Sequence, residues 1–156
     1  MAIKDVFHVN VNCTDFERSL AFYELVGFQI AHDLGVGEGG PYRVGLGMPE
    51  QSANRAALLV LDPTRRGSTR IDLIEWIEPK THGTATHRRP DSDLAHVGAA
   101  RIALWTIGVD EEYARLRDAG VEFITEPVTM NDGTTRFCCF YDPDGTILEL
   151  IDFGPQ

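Results

Sequence analysis

Residues 6–12 alternate between apolar and polar positions with a period of two, which predicts a strand. Thr14-x-x-Glu17 reads as a capping box that opens a helix. Phe16, Leu20 and Tyr23 line one face of that helix at helical spacing, and Gly27 is its stop. Strands are predicted at 28–33, 42–48, 55–61 and 70–78. The stretch 79–98, rich in Thr, Pro, Gly and His, reads as a linker. A strand at 100–107 and a helix at 109–119 follow, with Gly120 as the stop. Further strands are predicted at 121–125, 135–141 and 146–152. Asp142-Pro143-Asp144-Gly145 joins the last two as a hairpin turn.

The pattern repeats. Shifted by 93 positions, Phe7-His8-Val9-Asn10-Val11 lies over Ala100-Arg101-Ile102-Ala103-Leu104, and Gly27-Phe28 lies over Gly120-Val121. The downstream ends align at a shift of 77, where Ile71-Asp72-Leu73-Ile74-Glu75 lies over Leu148-Glu149-Leu150-Ile151-Asp152. The change of shift places the length difference in the middle loops. The expected architecture is α+β, two βαβββ modules in tandem with mixed sheets. Module one spans 1–78, the linker 79–98 and module two 99–156.

Alternation assigns the faces. In the first strand Phe7, Val9 and Val11 point one way, toward the helix, and His8, Asn10 and Asn12 the other. Asp72 shares a face with Ile74 and Trp76, Arg101 with Ala103 and Trp105, and Glu149 with Ile147 and Ile151. Glu75 faces the opposite side and reads as solvated. A carboxylate among isoleucines is costly unless a cation or donors meet it, so two acids, one His and one Arg at repeat-equivalent positions suggest a mutual solution.

Composition narrows the function. The chain has 156 residues, 43% of them apolar, and a net charge of −10 with acids in excess in both halves. That charge argues against a nucleic-acid or anionic-membrane surface. No apolar run approaches the length that spans a bilayer, and the first residues carry no apolar signal core, so the expected compartment is the cytoplasm. Three cysteines make a poor disulfide framework and read as buried free thiols. Gly35-Val36-Gly37-Glu38-Gly39-Gly40, followed by Pro41 and a predicted strand, reads as a flexible loop. His82, His87 and His96 lack metal-site spacing, and Arg65, Arg66 and Arg70 read as a solvated basic turn.

These segments, with Ser19-Leu20-Ala21-Phe22-Tyr23, Leu116-Arg117-Asp118-Ala119-Gly120-Val121 and the Tyr141-Asp142-Pro143-Asp144-Gly145 turn before Leu148-Glu149-Leu150, resemble the vicinal oxygen chelate superfamily. Its members include glyoxalases, bleomycin resistance proteins and extradiol dioxygenases. The resemblance implies a U-shaped sheet around a cleft with helices outside, and commonly a homodimer. It implies a metal position drawing on His8, Asp72, Arg101 and Glu149. Asp72 stands where Glu is commonest, and Arg101 stands where His is expected, although a guanidinium cannot ligate a metal. A divalent zinc, nickel, manganese or iron ion held by His8, Asp72 and Glu149 is therefore one reading, and no cofactor is the other.

The resemblance leaves three functions open. One is a glyoxalase-like lyase or isomerase acting on an oxygenated, anionic small molecule, with His8, Glu149 and Arg101 catalytic. Asn10, Asp72, Trp76, Arg101 and Trp105 would then bind the substrate. The second is a binder that sequesters a toxic compound. The third, a metal-dependent dioxygenase, needs a second His that Arg101 removes.

Overall fold

Strand β1 (His8–Asn12) leads into helix α1 (Phe16–Val26), and then come β2 (Gln29–Glu38), a short helix α2 (Pro41–Gly45), β3 (Ala53–Val60) and β4 (Arg70–Glu78). The second half repeats the order with β5 (Arg101–Trp105), α3 (Val109–Asp118), β6 (Val128–Thr129), β7 (Arg136–Tyr141) and β8 (Ile147–Asp152). This computed structural model describes residues 5–65, 68–83 and 100–155. It divides into two units, Met1–Gly83 and Thr84–Gln156.

Each unit holds one four-stranded mixed sheet, ordered β1-β4-β3-β2 in the first and β5-β8-β7-β6 in the second. In both, the first strand runs parallel to the last and the remaining pairs are antiparallel. The registers are equivalent as well. Asn10 lies opposite Asp72 in one unit, and Ala103 lies opposite Glu149 in the other. The α+β architecture of two similar βαβββ modules expected from the repeat is therefore what the chain forms.

Helix α1 buries Phe16, Leu20, Tyr23 and Val26, which meet the face of the sheet carrying Val11, Ile71 and Leu73. Burying an aromatic or aliphatic side chain of this size contributes roughly 1.5–3 kcal/mol. Gly27 ends the helix with φ 117°, a left-handed conformation that a side chain would strain, and Phe28 N donates to Tyr23 O at 2.9 Å. In the second unit Leu116 and Val109 are the buried residues of α3, and Gly120 follows it at φ 92°.

Several expectations are corrected. Asp15, not Thr14, caps α1: its Oδ1 accepts from Arg18 N at 3.0 Å, and Thr14 Oγ1 accepts from the Arg18 guanidinium instead. Glu75 is not merely solvated. Its Oε2 accepts from Phe16 N at 2.9 Å, so β4 clamps the start of α1. Asp152 does the same for α3, accepting from Gly108 N at 2.8 Å. A carboxylate at a helix start also meets the positive end of the helix dipole. Residues 42–48 form no strand. Pro41 sits at the first turn of α2, where its fixed φ suits a helix, and Tyr42, Val44 and Leu46 stay exposed. Gly35 and Gly37 belong to β2, which continues through two register shifts rather than dissolving into a loop. Residues 121–125 make only an isolated bridge, Phe123 to Phe140, and the paired strand follows Pro127. Phe7 is exposed, with the Arg70 guanidinium 4.7 Å above its ring, so the apolar face of β1 begins at Val9. His87, His96 and most of the 79–98 stretch lie outside the described residues, as does Arg66.

Candidate functional site

Alternation and register together place His8, Asn10 and Asn12 of β1 beside Asp72, Ile74 and Trp76 of β4, on the face away from α1. His8 Nε2 stands 3.9 Å from Asp72 Oδ2. Asn10 Nδ2 donates to the backbone oxygen of Asp72 at 3.2 Å, and Trp76 Nε1 donates to Asn12 Oδ1 at 3.2 Å. Asp72 is only 5% exposed, and its Oδ1 is buried with no hydrogen-bond partner. Burial pushes its carboxyl above the ordinary carboxylate value, and the charge of His8 opposes that shift. His8 remains about half exposed, with its side chain at 40%.

The second unit solves the same problem differently. Arg101 Nε lies 2.9 Å from Glu149 Oε2, and Glu149 is 4% exposed. Cys139, directly opposite Glu149 across β7 and β8, points its Sγ at the same Oε2 from 3.8 Å. Burial, reinforced by the Glu149 charge, pushes the Cys139 thiol up. The neighbouring Cys138, buried on the other face, is pushed up to about 12. All three cysteines are free and buried, as expected. Trp105 shares the Arg101 face but is 59% exposed, with its ring 6.5 Å from that of Phe153.

The chain thus brings His8, Asn10, Asp72 and Trp76 together in the first unit, and Arg101 and Glu149 in the second. Cys139 was not among the residues expected here. Counting outward from Asp142–Gly145 pairs residue 139 with 148, and only the observed register, in which Asp142 N bonds Thr146 O, sets Cys139 opposite Glu149.

A family model described as the Glyoxalase/Bleomycin resistance protein/Dioxygenase superfamily matches residues 5–150. The chain belongs to this superfamily. It is 29% identical to the uncharacterized protein YwkD of Bacillus subtilis (strain 168) over 154 residues, covering 97% of this chain and 99% of that one. Its fold superposes on a glyoxalase family protein from Bacillus cereus with a TM-score of 0.79, at 22% identity over 99% of both chains. TnmS3, an antibiotic-binding protein from Streptomyces sp. CB03234, matches with a TM-score of 0.63 at 25% identity, again over 99% of both chains. Glyoxalase I of Leishmania major matches with a TM-score of 0.62 at 21% identity, over 96% of this chain and 87% of that one.

The metal that the superfamily implies does not fit the residues present. The position expected for a second imidazole carries a permanent cation, and that cation occupies Glu149. Among the described residues, no three His, Cys, Asp or Glu side chains gather as a metal site. Also among the described residues, no helix is long and apolar enough to cross a membrane.

Proposed function

We propose that this superfamily member binds a small oxygenated anion and moves a proton on it, as an isomerase or lyase of the glyoxalase kind. Arg101 supplies the positive charge that the superfamily's metal would otherwise supply. The observation that carries this reading is the Arg101–Glu149 pair, 2.9 Å apart at the repeat equivalent of His8 and Asp72. Glu149 anchors the guanidinium, whose side chain keeps 43% exposure toward solvent. A guanidinium fixed in this way binds a carboxylate or an enolate through charge-assisted hydrogen bonds.

His8 is the proton carrier. It is accessible, and Asp72 faces its Nε2. It is preferred to Glu149, whose Oε2 is already held by Arg101 and Cys139. The raised Asp72 carboxyl can share a proton with His8 or give one to a ligand oxygen. In the proposed step, His8 takes a proton from the carbon beside a carbonyl. The Asp72 carboxyl beside His8 donates to the resulting oxyanion, and the proton returns to the carbon or to the oxygen.

A second reading has support of its own. The likeness to TnmS3 covers the whole chain, and TnmS3 binds an antibiotic. The exposed Trp105 ring would then stack on a planar compound. One experiment separates the two. A metabolite extract is passed over the immobilised protein, and the captured compound is identified by mass spectrometry. It is then incubated with the protein in deuterium oxide and EDTA. Proton transfer predicts incorporation of one deuterium at the reacting carbon, and its loss in His8→Gln. Capture without exchange or turnover supports the binder.

A further inference from the structure

The first unit holds a buried cation that neither the repeat nor the resemblance to the superfamily singles out. Arg43 of α2 is 8% exposed and is the one buried arginine among the described residues. Five of the other arginines are matched by acids: Arg55 by Asp33, Arg101 by Glu149, Arg115 by Glu112, Arg117 by Asp118 and Arg136 by Asp110. Arg43 has only neutral partners. Its Nε donates to Ser52 O at 3.1 Å, and its Nη2 donates to Asn54 Oδ1 at 2.5 Å. The Tyr42 ring lies 5.5 Å from its Cζ. A desolvated guanidinium without a carboxylate is an expensive arrangement, and proteins retain such a charge where an anion meets it.

Space for that anion exists. Arg43, Tyr42, Asn54, Ala56 and Gly37 line a pocket of about 210 Å³. Asn54 and Ala56 lie opposite Trp76 and Ile74 in the β3–β4 register, and Leu58 lies opposite Asp72. The pocket therefore opens on the same sheet face as Asp72. Partial burial raises the phenol of the otherwise exposed Tyr42, and the negative charge of Asp72 raises it further. Gly37 is part of the cradle, because a Cβ there would come within 2.6 Å of Arg43 Nη2. The absence of a side chain at Gly37 leaves room for the guanidinium beside β2.

We propose that Arg43, seated on Gly37 and flanked by Tyr42 and Asn54, is the anchor for an anionic oxygen group of the ligand, a carboxylate or a phosphate monoester. This rests on the reading that the chain takes a small oxygenated anion, and it gives the first unit an anion contact of its own. It also sets specificity, since a ligand lacking the anionic group leaves the buried cation unmet.

The test is thermal unfolding of the intact chain in increasing lactate or methyl phosphate at constant ionic strength, backed by calorimetric titration of the same two probes. The two arms tell a carboxylate site from a phosphate site, and stabilisation by either supports the proposal. Arg43→Met should fold and lose the response. Arg43→Lys should keep part of it. Gly37→Ala, which preserves the charge but displaces the guanidinium, should weaken binding roughly tenfold or more. A wild-type chain indifferent to both probes would overturn the assignment. So would Arg43→Met and Gly37→Ala variants that respond like the wild type. Arg101→Gln, run in parallel, separates the two claims. Loss of response in Arg101→Gln with full response in Arg43→Met ends the Arg43 proposal and leaves the proposed function standing. Loss in Arg43→Met with full response in Arg101→Gln does the reverse.

Discussion

Exchanging Arg101 for His should create tight binding of zinc, nickel or manganese that the unmodified chain is expected to lack. A guanidinium ~5 Å from a divalent ion repels it by roughly 6–7 kcal/mol at an effective dielectric of 20. The substitution removes that repulsion. It also releases Glu149 Oε2 from its 2.9 Å ion pair and adds a neutral nitrogen donor beside it. Each change favours the metal, so the gain should span several orders of magnitude in affinity. Isothermal titration of both proteins after chelation measures it. Equal binding by the two would show that Arg101 does not govern the metal chemistry of this chain.

Replacing Asp72 with Asn should stabilise the protein at neutral pH while removing its function. Asp72 is buried, its Oδ1 has no partner, and its native carboxyl titrates above the ordinary value of 3.8. The sign follows from linkage. Between the unfolded value and the raised native one, the folded state binds more protons than the unfolded state, so stability falls as pH rises through that window. The acid thus favours the fold when protonated and costs stability once both states are ionised. A neutral amide of the same shape escapes that cost. The expected gain is about 1 kcal/mol at pH 8, shrinking toward zero below the unfolded carboxylate value. Urea unfolding of both proteins across pH gives the comparison. A destabilised Asp72→Asn variant at pH 8 would mean that the charge itself is held favourably in the native state. A stabilised but inactive variant is the trade expected of a strained functional site.

The repeat made the most consequential features legible. Matching β1 to β5 and β4 to β8 places His8 over Arg101 and Asp72 over Glu149, and the observed registers agree residue for residue. Alternation then gave the correct face for Asn10, Asp72 and Trp76. What it missed has physical causes. Glu75 and Asp152 occupy equivalent positions, yet alternation reports only the face of the sheet, not the helix N–H groups waiting beside it. Tyr42, Val44 and Leu46 alternate like a strand, but Pro41 starts a helical turn and hides Arg43 beneath it. A buried arginine with neutral partners has no signature in composition or periodicity. It is visible only when the pocket and its walls are seen together.

A guanidinium, not a metal, is proposed to hold the ligand. Calorimetric titration of the captured compound, with and without EDTA, into the wild-type chain and Arg101→Gln, tests it most directly. The expected result is the same affinity in both conditions for the wild type, and at least a tenfold loss in the variant. Binding that disappears on chelation, returns with added zinc, nickel or manganese, and is indifferent to Arg101→Gln would contradict it.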